Sequence, residues 1–475
     1  MNLFSRVMKN TSAIFFASLI RMVASFVLTV FVARHLGSVG MGTFAIVFSL
    51  FMLFLKLSTV GLEPVIIREV SKDKSQAKAF LFNGSLLTAV SSVILSGIMI
   101  GFVYIAGYSD DIRVATCMIA CGILITSITM MFRAVFIAFQ KAEYFMYGNL
   151  AENVVKLSLG ILVLNLGFGI PTLVLIIALS PLASILVCSL FFIKLNGKEK
   201  VRFDGKLCRQ LIKILPAFTG TQFFNAFSGN ITVIILSLMM QVELVGYYGA
   251  AMRLVNIFRV VVQSYKESIL PVAAKAYASS LESIRNVCNI SVKYMFILTV
   301  PACLGTTLLA DRIVILVFSE AFLASAHILR ILIWILFFYG ASTVFTSVLI
   351  ASNNQKTNLR AVAVSMVCRL VFALLLIPFF SYFGAAAAVL LGSIINFGQK
   401  YHFISKNIFK IPVFEILKKI MASTLIMAVF VVLCHRLNLF VLIGSSALVY
   451  LAGLFLLGEL AFYDVVRIGR RKSVH

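Results

Sequence analysis

Eight ionisable side chains stand inside otherwise apolar stretches of this sequence: Arg21, Lys56, Arg133, Glu152, Lys156, Arg253, Arg259 and Arg369. A charge at the centre of a membrane helix costs about 2.5 to 3.5 kcal/mol on insertion scales, so such groups face a hydrated cavity or one another. Seven of the eight are cations. That excess points to an anionic ligand, and arginine in particular suits phosphate, because its planar fork holds two oxygens at once. Arg21 and Arg259 lie near the middle of their runs with no acid within a helical turn, and are read as cavity residues. Gln263 and Lys266 follow Arg259 at i+4 and i+7 and extend it into a polar stripe on one helix face. Glu152 and Lys156 are spaced i, i+4 with the acid first, the favourable order for a helical ion pair, and are read as neutralising one another or as a coupling site. Lys56 and Arg133 are near enough to the ends of their runs to snorkel.

Other chemistries find less support. The string Gly37-Ser38-Val39-Gly40-Met41-Gly42 lacks the Lys-Ser/Thr ending of a phosphate loop and reads as a tight turn. The cysteines Cys117, Cys121, Cys188, Cys303, Cys368 and Cys434 lie in or beside apolar runs with no CxxC pair or histidine at metal spacing, and are read as small buried packing residues. Asp110-Asp111 has the character of a short solvated loop rather than of a catalytic acid pair. No cofactor, no metal and no catalytic residue is expected.

The elements that must position these residues are membrane helices. Hydrophobic residues form 61% of the 475, charged residues 12%, and the mean hydropathy is +1.06. A soluble chain carries about twice that charged fraction. Apolar runs of spanning length centre near Leu19, Leu50, Val93, Thr126, Leu157, Ile185, Ile231, Arg259, Val300, Leu336, Leu370, Leu391, Met427 and Leu451, which predicts an all-α integral membrane protein of about 14 spans. The first run, from about Thr11, is too long for a signal-peptide core and is expected to remain as the first span.

The net charge of +24 is distributed over alternate breaks. One set carries Arg68, Lys72, Lys74 and Lys78, then Lys141, the cluster from Lys194 to Lys213, Lys275, Arg285, Lys356, Arg360, Lys400, Lys406 and Lys410; the other carries only Arg34, Arg113, Arg312 and Arg436. Alternation is what membrane orientation produces, with the basic side cytoplasmic, whereas a nucleic-acid face would gather the charge into one patch. Both termini are therefore expected in the cytoplasm, and no nucleic-acid partner is expected. The opposite breaks are too short to house an external catalytic domain.

An internal repeat is visible. Val39-Gly40 recurs as Val245-Gly246, Pro64 with Arg68 as Pro271 with Lys275, Gln140-Lys141 as Gln355-Lys356, and Gly169 as Gly384, at offsets of 206, 207, 215 and 215 residues. Two six-helix bundles in pseudo-twofold relation are expected, with two further helices. The boundaries read as an interfacial segment 1–10, a first bundle 11–194, a basic linker 195–215, a second bundle 216–403, two additional helices 404–463 and a basic tail 464–475.

The stretch Val32-Ala33-Arg34-His35-Leu36-Gly37 with Gly40, Gly42 and Phe44, and its second-half echo Val245-Gly246-Tyr247-Tyr248 with Ala250, Ala251 and Leu254, resemble bacterial polysaccharide-unit flippases of the O-antigen and capsule type. These are similar to multidrug extruders and lipid II flippases, with which they share a superfamily. The resemblance implies alternating access and translocation of an undecaprenyl-pyrophosphate-linked oligosaccharide across the bacterial inner membrane, amid membrane lipid and in company with a polysaccharide polymerase and a chain-length regulator. It also implies that Arg21, Lys56, Arg253 and Arg259, by the helices they occupy, hold the pyrophosphate; Gln263, Lys266 and Arg369 join them as substrate-binding candidates. A cation-coupled multidrug or metabolite extruder of the same fold, and a membrane-embedded glycosyltransferase or polymerase, are the competing readings. The extruder should show carboxylates in its cavity, and the enzyme a catalytic acid or base.

Overall fold

The computed structural model describes residues 3–59, 61–197 and 203–458. The basic tail 464–475 and part of the basic linker lie outside the described residues. Everything described is helix or short connection. The chain divides into two compact units, one of residues 1–253 with 369–388 and the other of residues 254–368 with 389–475.

The first unit holds α1 (Leu3–Ser58), α2 (Leu62–Lys72), α3 (Ala77–Ile105), α4 (Asp110–Ala138), α5 (Ala142–Asn165), α6 (Ile170–Leu179), α7 (Pro181–Asn196), α8 (Gly205–Met239) and the start of α9 (Val242–Ser279). Gly37 breaks α1 with φ 64° and ψ −164°, a conformation open to glycine but strained for other residues. The expected turn between the first two spans is thus a kink within one helix. α1 packs on α4, α5 and α8, and α4 on α3 and α6. A core of Val65, Ile66, Val70, Met131, Val135, Phe136 and Phe145 fills the space among them.

The second unit holds the rest of α9, α10 (Leu281–Val317), α11 (Ala324–Leu332), α12 (Ile335–Ala351), most of α13 (Gln355–Asn407), α14 (Val413–Leu433) and α15 (Leu439–Leu456). In the 369–388 stretch of α13, which belongs to the first unit, Pro378 removes a backbone donor and Ser381 breaks the helix with φ 51°. α10 packs on α11, α12 and α14, and α14 on α15, over a core containing Met295, Phe296, Val344, Phe345 and Val348.

Among the described residues ten helical stretches are long and apolar enough to cross a membrane. Two of them, Ile14–Ser58 and Gln355–Asn407, are the broken helices and supply two passes each. With α5, whose charges lower its hydropathy, and the apolar Phe223–Met239 stretch of α8, the passes reach the number expected from the sequence. Large apolar side chains point outward, among them Ile105 at 89% and Phe414 at 85% exposure, as suits helices solvated by lipid.

Candidate functional site: cationic clusters within the helices

In the first unit the site is organised by α5. Phe145, Asn149, Asn153 and Lys156 recur at i, i+4, i+8 and i+11, so they share one face, and all four are buried. Arg21 comes to this face from α1. With the Asn149 carboxamide oriented to satisfy its neighbours, its oxygen accepts from Arg21 Nε at 3.2 Å and Nη2 at 2.7 Å, and its nitrogen donates to the Ala17 carbonyl at 3.2 Å. The amide thereby fixes the plane of the guanidinium. Asn153 Nδ2 donates to the Asn149 carbonyl at 2.7 Å and ties the stripe to its own backbone.

Two guanidiniums share the Phe145 ring: Arg21 Cζ lies 6.0 Å and Arg133 Cζ 5.9 Å from its centroid. Arg133 is held by Glu63 of α2 at 3.2 Å, so its position near the end of a run is explained by an ion pair as well as by access to solvent. Lys156 is 8% exposed, and the charges of Glu152, Arg21 and Arg253 act on it. Among the described residues Glu152 and Lys156 make no ion pair at bonding distance, although helical spacing allows one. Arg253 Nη1 donates to Ser25 Oγ at 3.2 Å, and its guanidinium lies over Phe48 at 5.0 Å and Phe44 at 5.7 Å. Around this face Arg21, Arg133, Lys156 and Arg253 stand against two carboxylates, Glu63 and Glu152.

Lys56 is apart from that face, with its Nζ 3.9 Å from where a Cβ on Gly229 of α8 would stand. Arg369 is 8% exposed and donates through Nη1 to the Ser228 carbonyl, also on α8. Both are held against α8 rather than against α5.

In the second unit the stripe on α9 is organised by Tyr339 of α12. Arg259 Cζ lies 4.9 Å from the Tyr339 ring centroid, and the Tyr339 hydroxyl donates to Gln263 Oε1 at 3.0 Å. Arg259 Nη1 also donates to Asn256 Oδ1 at 3.4 Å. Lys266 continues the stripe, and its charge acts on Lys400 of α13.

Sequence reasoning missed Asn149, Asn153, Phe145, Glu63 and Tyr339. The α5 residues could have been found from the helical recurrence of polar side chains; Glu63 and Tyr339 act from other helices and leave no local signal. Two readings are corrected. Lys400, placed in a basic break, is 3% exposed within α13, because the helix continues to Asn407 instead of ending in a loop. Cys117 and Cys121, read as buried, are exposed, since their positions on α4 face outward. No cluster of metal-ligating side chains occurs among the described residues.

Fold and site together define a multi-pass α-helical membrane protein with a cationic interior. The chain belongs to the family described as polysaccharide biosynthesis protein, whose model matches residues 7–277. The MatE model matches residues 217–375. Over 174 residues the chain is 26% identical to the probable low-salt glycan biosynthesis flippase Agl15 of Haloferax volcanii, a match covering 36% of this chain and 37% of that relative. The chain thus spans little more than a third of that relative's length. Among solved structures it is similar to the lipid II flippase MurJ in an inward closed conformation, with a TM-score of 0.76, 17% identity, and coverage of 97% of this chain and 100% of that one. It is also similar to an inward-facing multidrug resistance MATE family transporter of the MOP superfamily, with a TM-score of 0.69, 14% identity, and coverage of 86% and 99%. At these identities the likeness is one of fold.

Proposed function

We propose that the chain is a flippase that carries an undecaprenyl-pyrophosphate-linked oligosaccharide from the cytoplasmic to the outer leaflet of the inner membrane, by alternating access, for cell-surface polysaccharide synthesis. In this reading both termini are cytoplasmic. The observation that carries it is the charge balance around the α5 face, where Glu63 is engaged by Arg133 and the remaining cations exceed the remaining carboxylate. A diphosphate supplies the missing negative charge, and the fork of Arg21, already held flat by Asn149, presents paired donors to it. Lys156 and Arg253 complete that set. Lys56 of α1 and Arg369 of α13, both held against α8, and the Arg259, Gln263 and Lys266 stripe, are assigned to the same substrate as further polar contacts. Movement of an anion outward across a cell-negative potential is assisted by about 2.3 kcal/mol per charge per 100 mV.

The reading is tested in proteoliposomes containing a polyprenyl-diphosphate glycan or its monophosphate counterpart, with leaflet-specific glycan modification as the readout. The wild type is expected to flip the diphosphate faster than the monophosphate, and Arg21→Ala and Arg253→Ala to lose about tenfold or more of that rate, the equivalent of about 1.4 kcal/mol. Full rates in both variants, at normal membrane insertion, would remove the assigned roles. Selective efflux of a small cation instead would install the extruder reading.

A further inference from the structure

Lys400 is buried in the second unit, and its two hydrogen bonds are to neutral groups: Nζ donates to Ser342 Oγ at 3.2 Å and to Thr346 Oγ1 at 2.9 Å, both on α12. The hydrogens of those hydroxyls are committed elsewhere. Ser342 Oγ donates to Asn396 Oδ1 at 2.7 Å, and Thr346 Oγ1 donates to the Ser342 carbonyl at 2.9 Å. Asn396 is itself held, donating to Ser365 Oγ at 3.0 Å and to the Ala361 carbonyl at 3.3 Å. Ser342 and Thr346 therefore turn lone pairs toward the amine, and each accepts one N–H from it.

The donor count decides which protonation state this arrangement fits. A neutral amine has two hydrogens, and the two hydroxyl oxygens accept both. An ammonium has a third, for which the described residues provide no acceptor. The charge bearing on Lys400 is that of Lys266 on α9, which repels it. α12 presents the uncharged Ser342 and Thr346, and the first limb of α13 presents the uncharged Asn358 and Ser365. Among the described residues Lys400 has no ion-pair partner, and an uncompensated buried ammonium costs several kcal/mol. The oxygen lone pairs around the amine would equally repel an anion, which disfavours neutralisation by a bound halide.

We propose that Lys400, with Ser342 and Thr346, forms a proton-binding site: the amine is neutral while α12 and α13 enclose it, and takes up a proton when these helices part and water reaches it. The step forms one N–H bond at Nζ, leaves water from hydronium, and requires no other reactant. Resting on the flippase reading, this is the group through which proton binding is linked to transport.

The chain contains a single tryptophan, Trp334, at the start of α12 and on the same helix as Ser342 and Thr346, so the site has a built-in reporter. The full chain in lipid nanodiscs would be titrated through the neutral pH range while Trp334 emission is recorded, in chloride and again in gluconate. A one-proton transition is expected in the wild type, independent of the anion, and absent in Lys400→Met. Thr346→Val, which keeps the amine but removes one acceptor, should displace the midpoint to lower pH and covers the case in which the lysine variant fails to fold. A flat wild-type titration, an unchanged transition in Lys400→Met, or a transition that follows chloride would overturn the site. In proteoliposomes an imposed pH gradient should change the wild-type flipping rate several-fold and leave the Lys400→Met rate unaltered. If the wild type flips nothing, the flippase reading fails while the Trp334 titration still decides the proton site.

Discussion

Glu63 and Arg133 meet at 3.2 Å, and the bond joins α2 to α4 beside the Phe145 ring that Arg133 shares with Arg21. Because Glu63 is engaged there, the positive charge around α5 is only partly offset from within. Glu63→Gln keeps the shape and removes the charge. The side chains are 25% and 31% exposed, so the direct loss of stability should stay within about 1 kcal/mol. The effect on an anionic substrate should be larger: tighter binding and slower release, seen as a several-fold lower half-saturation and a lower maximal flipping rate. A half-saturation equal to that of the wild type would show that Glu63 does not set the charge of the site.

Arg21 receives its orientation from Asn149, with Nε and Nη2 both donating to one amide oxygen. Lysine cannot reproduce a planar, two-pronged arrangement, so Arg21→Lys should retain the charge yet lose much of the function. Asn149→Leu should mimic it, since the guanidinium then loses its fixed plane. Binding of the diphosphate lipid, measured by native mass spectrometry, is expected to weaken by about tenfold in Arg21→Lys and further in Arg21→Ala, at about 1.4 kcal/mol per decade. Equal binding in Lys and Ala variants would mean that charge contributes nothing beyond geometry.

The helices were legible because apolar length and the breaks between runs are local properties. The kinks at Gly37 and Ser381 were legible as breaks but not as bends within continuous helices, since a turn and a kink use the same residue types. The charges inside the runs could be picked out by their cost alone. Their partners could not: Glu63 reaches Arg133 from another helix, and Tyr339 reaches Gln263 likewise, and such pairings are set by packing. Lys400 was misplaced for a related reason. Its distance from Asn407 is a helical turn or two, and only the hydroxyls of Ser342 and Thr346, one turn apart on α12, reveal that it points inward.

Outside the membrane passes, the connection after α2 is organised by two carboxylates. Asp73 accepts from Ser75 Oγ at 2.6 Å, from the Ser75 amide at 3.0 Å and from Gln76 Nε2 at 2.8 Å, and the Ser75 side chain above all holds its pKa below the ordinary value. Glu69 is held below its ordinary value first by its bond from Lys72, which with the weaker bond from Arg68 outweighs the opposing effect of burial. For a group depressed on folding, the stabilising contribution is complete above the unfolded pKa, about 4 for these side chains, and is lost as pH falls through the lower folded value. Protection of the Ser75 amide, taken against the unstructured rate at the same pH, should therefore be lost only in acid, below about pH 4. Asp73→Ala, which removes the acceptor, should lose that protection already at neutral pH; protection equal to wild type there would exclude the cap as its source.

Within the first unit α1 and the start of α9 approach through glycine. A Cβ on Gly246 would fall on the Ser38 carbonyl, and one on Gly42 would fall on the Val242 carbonyl, so both partners are backbone and cannot turn aside. Around this contact Ser38 Oγ and the Tyr247 hydroxyl both donate to Glu243 Oε1, at 3.1 and 2.7 Å. The close approach permits the hydrogen bonds, and the bonds alone do not create it. Gly246→Ala should force the helices apart at a cost of about 1 to 3 kcal/mol or more, as overpacking does. Glu243→Gln, which preserves an acceptor, should cost less than about 1 kcal/mol. The readouts are thermal unfolding and the disulfide yield of a Ser38→Cys, Glu243→Cys pair, which should be high alone and fall sharply when Gly246→Ala is added. An undiminished yield would show that the backbones have room that their spacing denies.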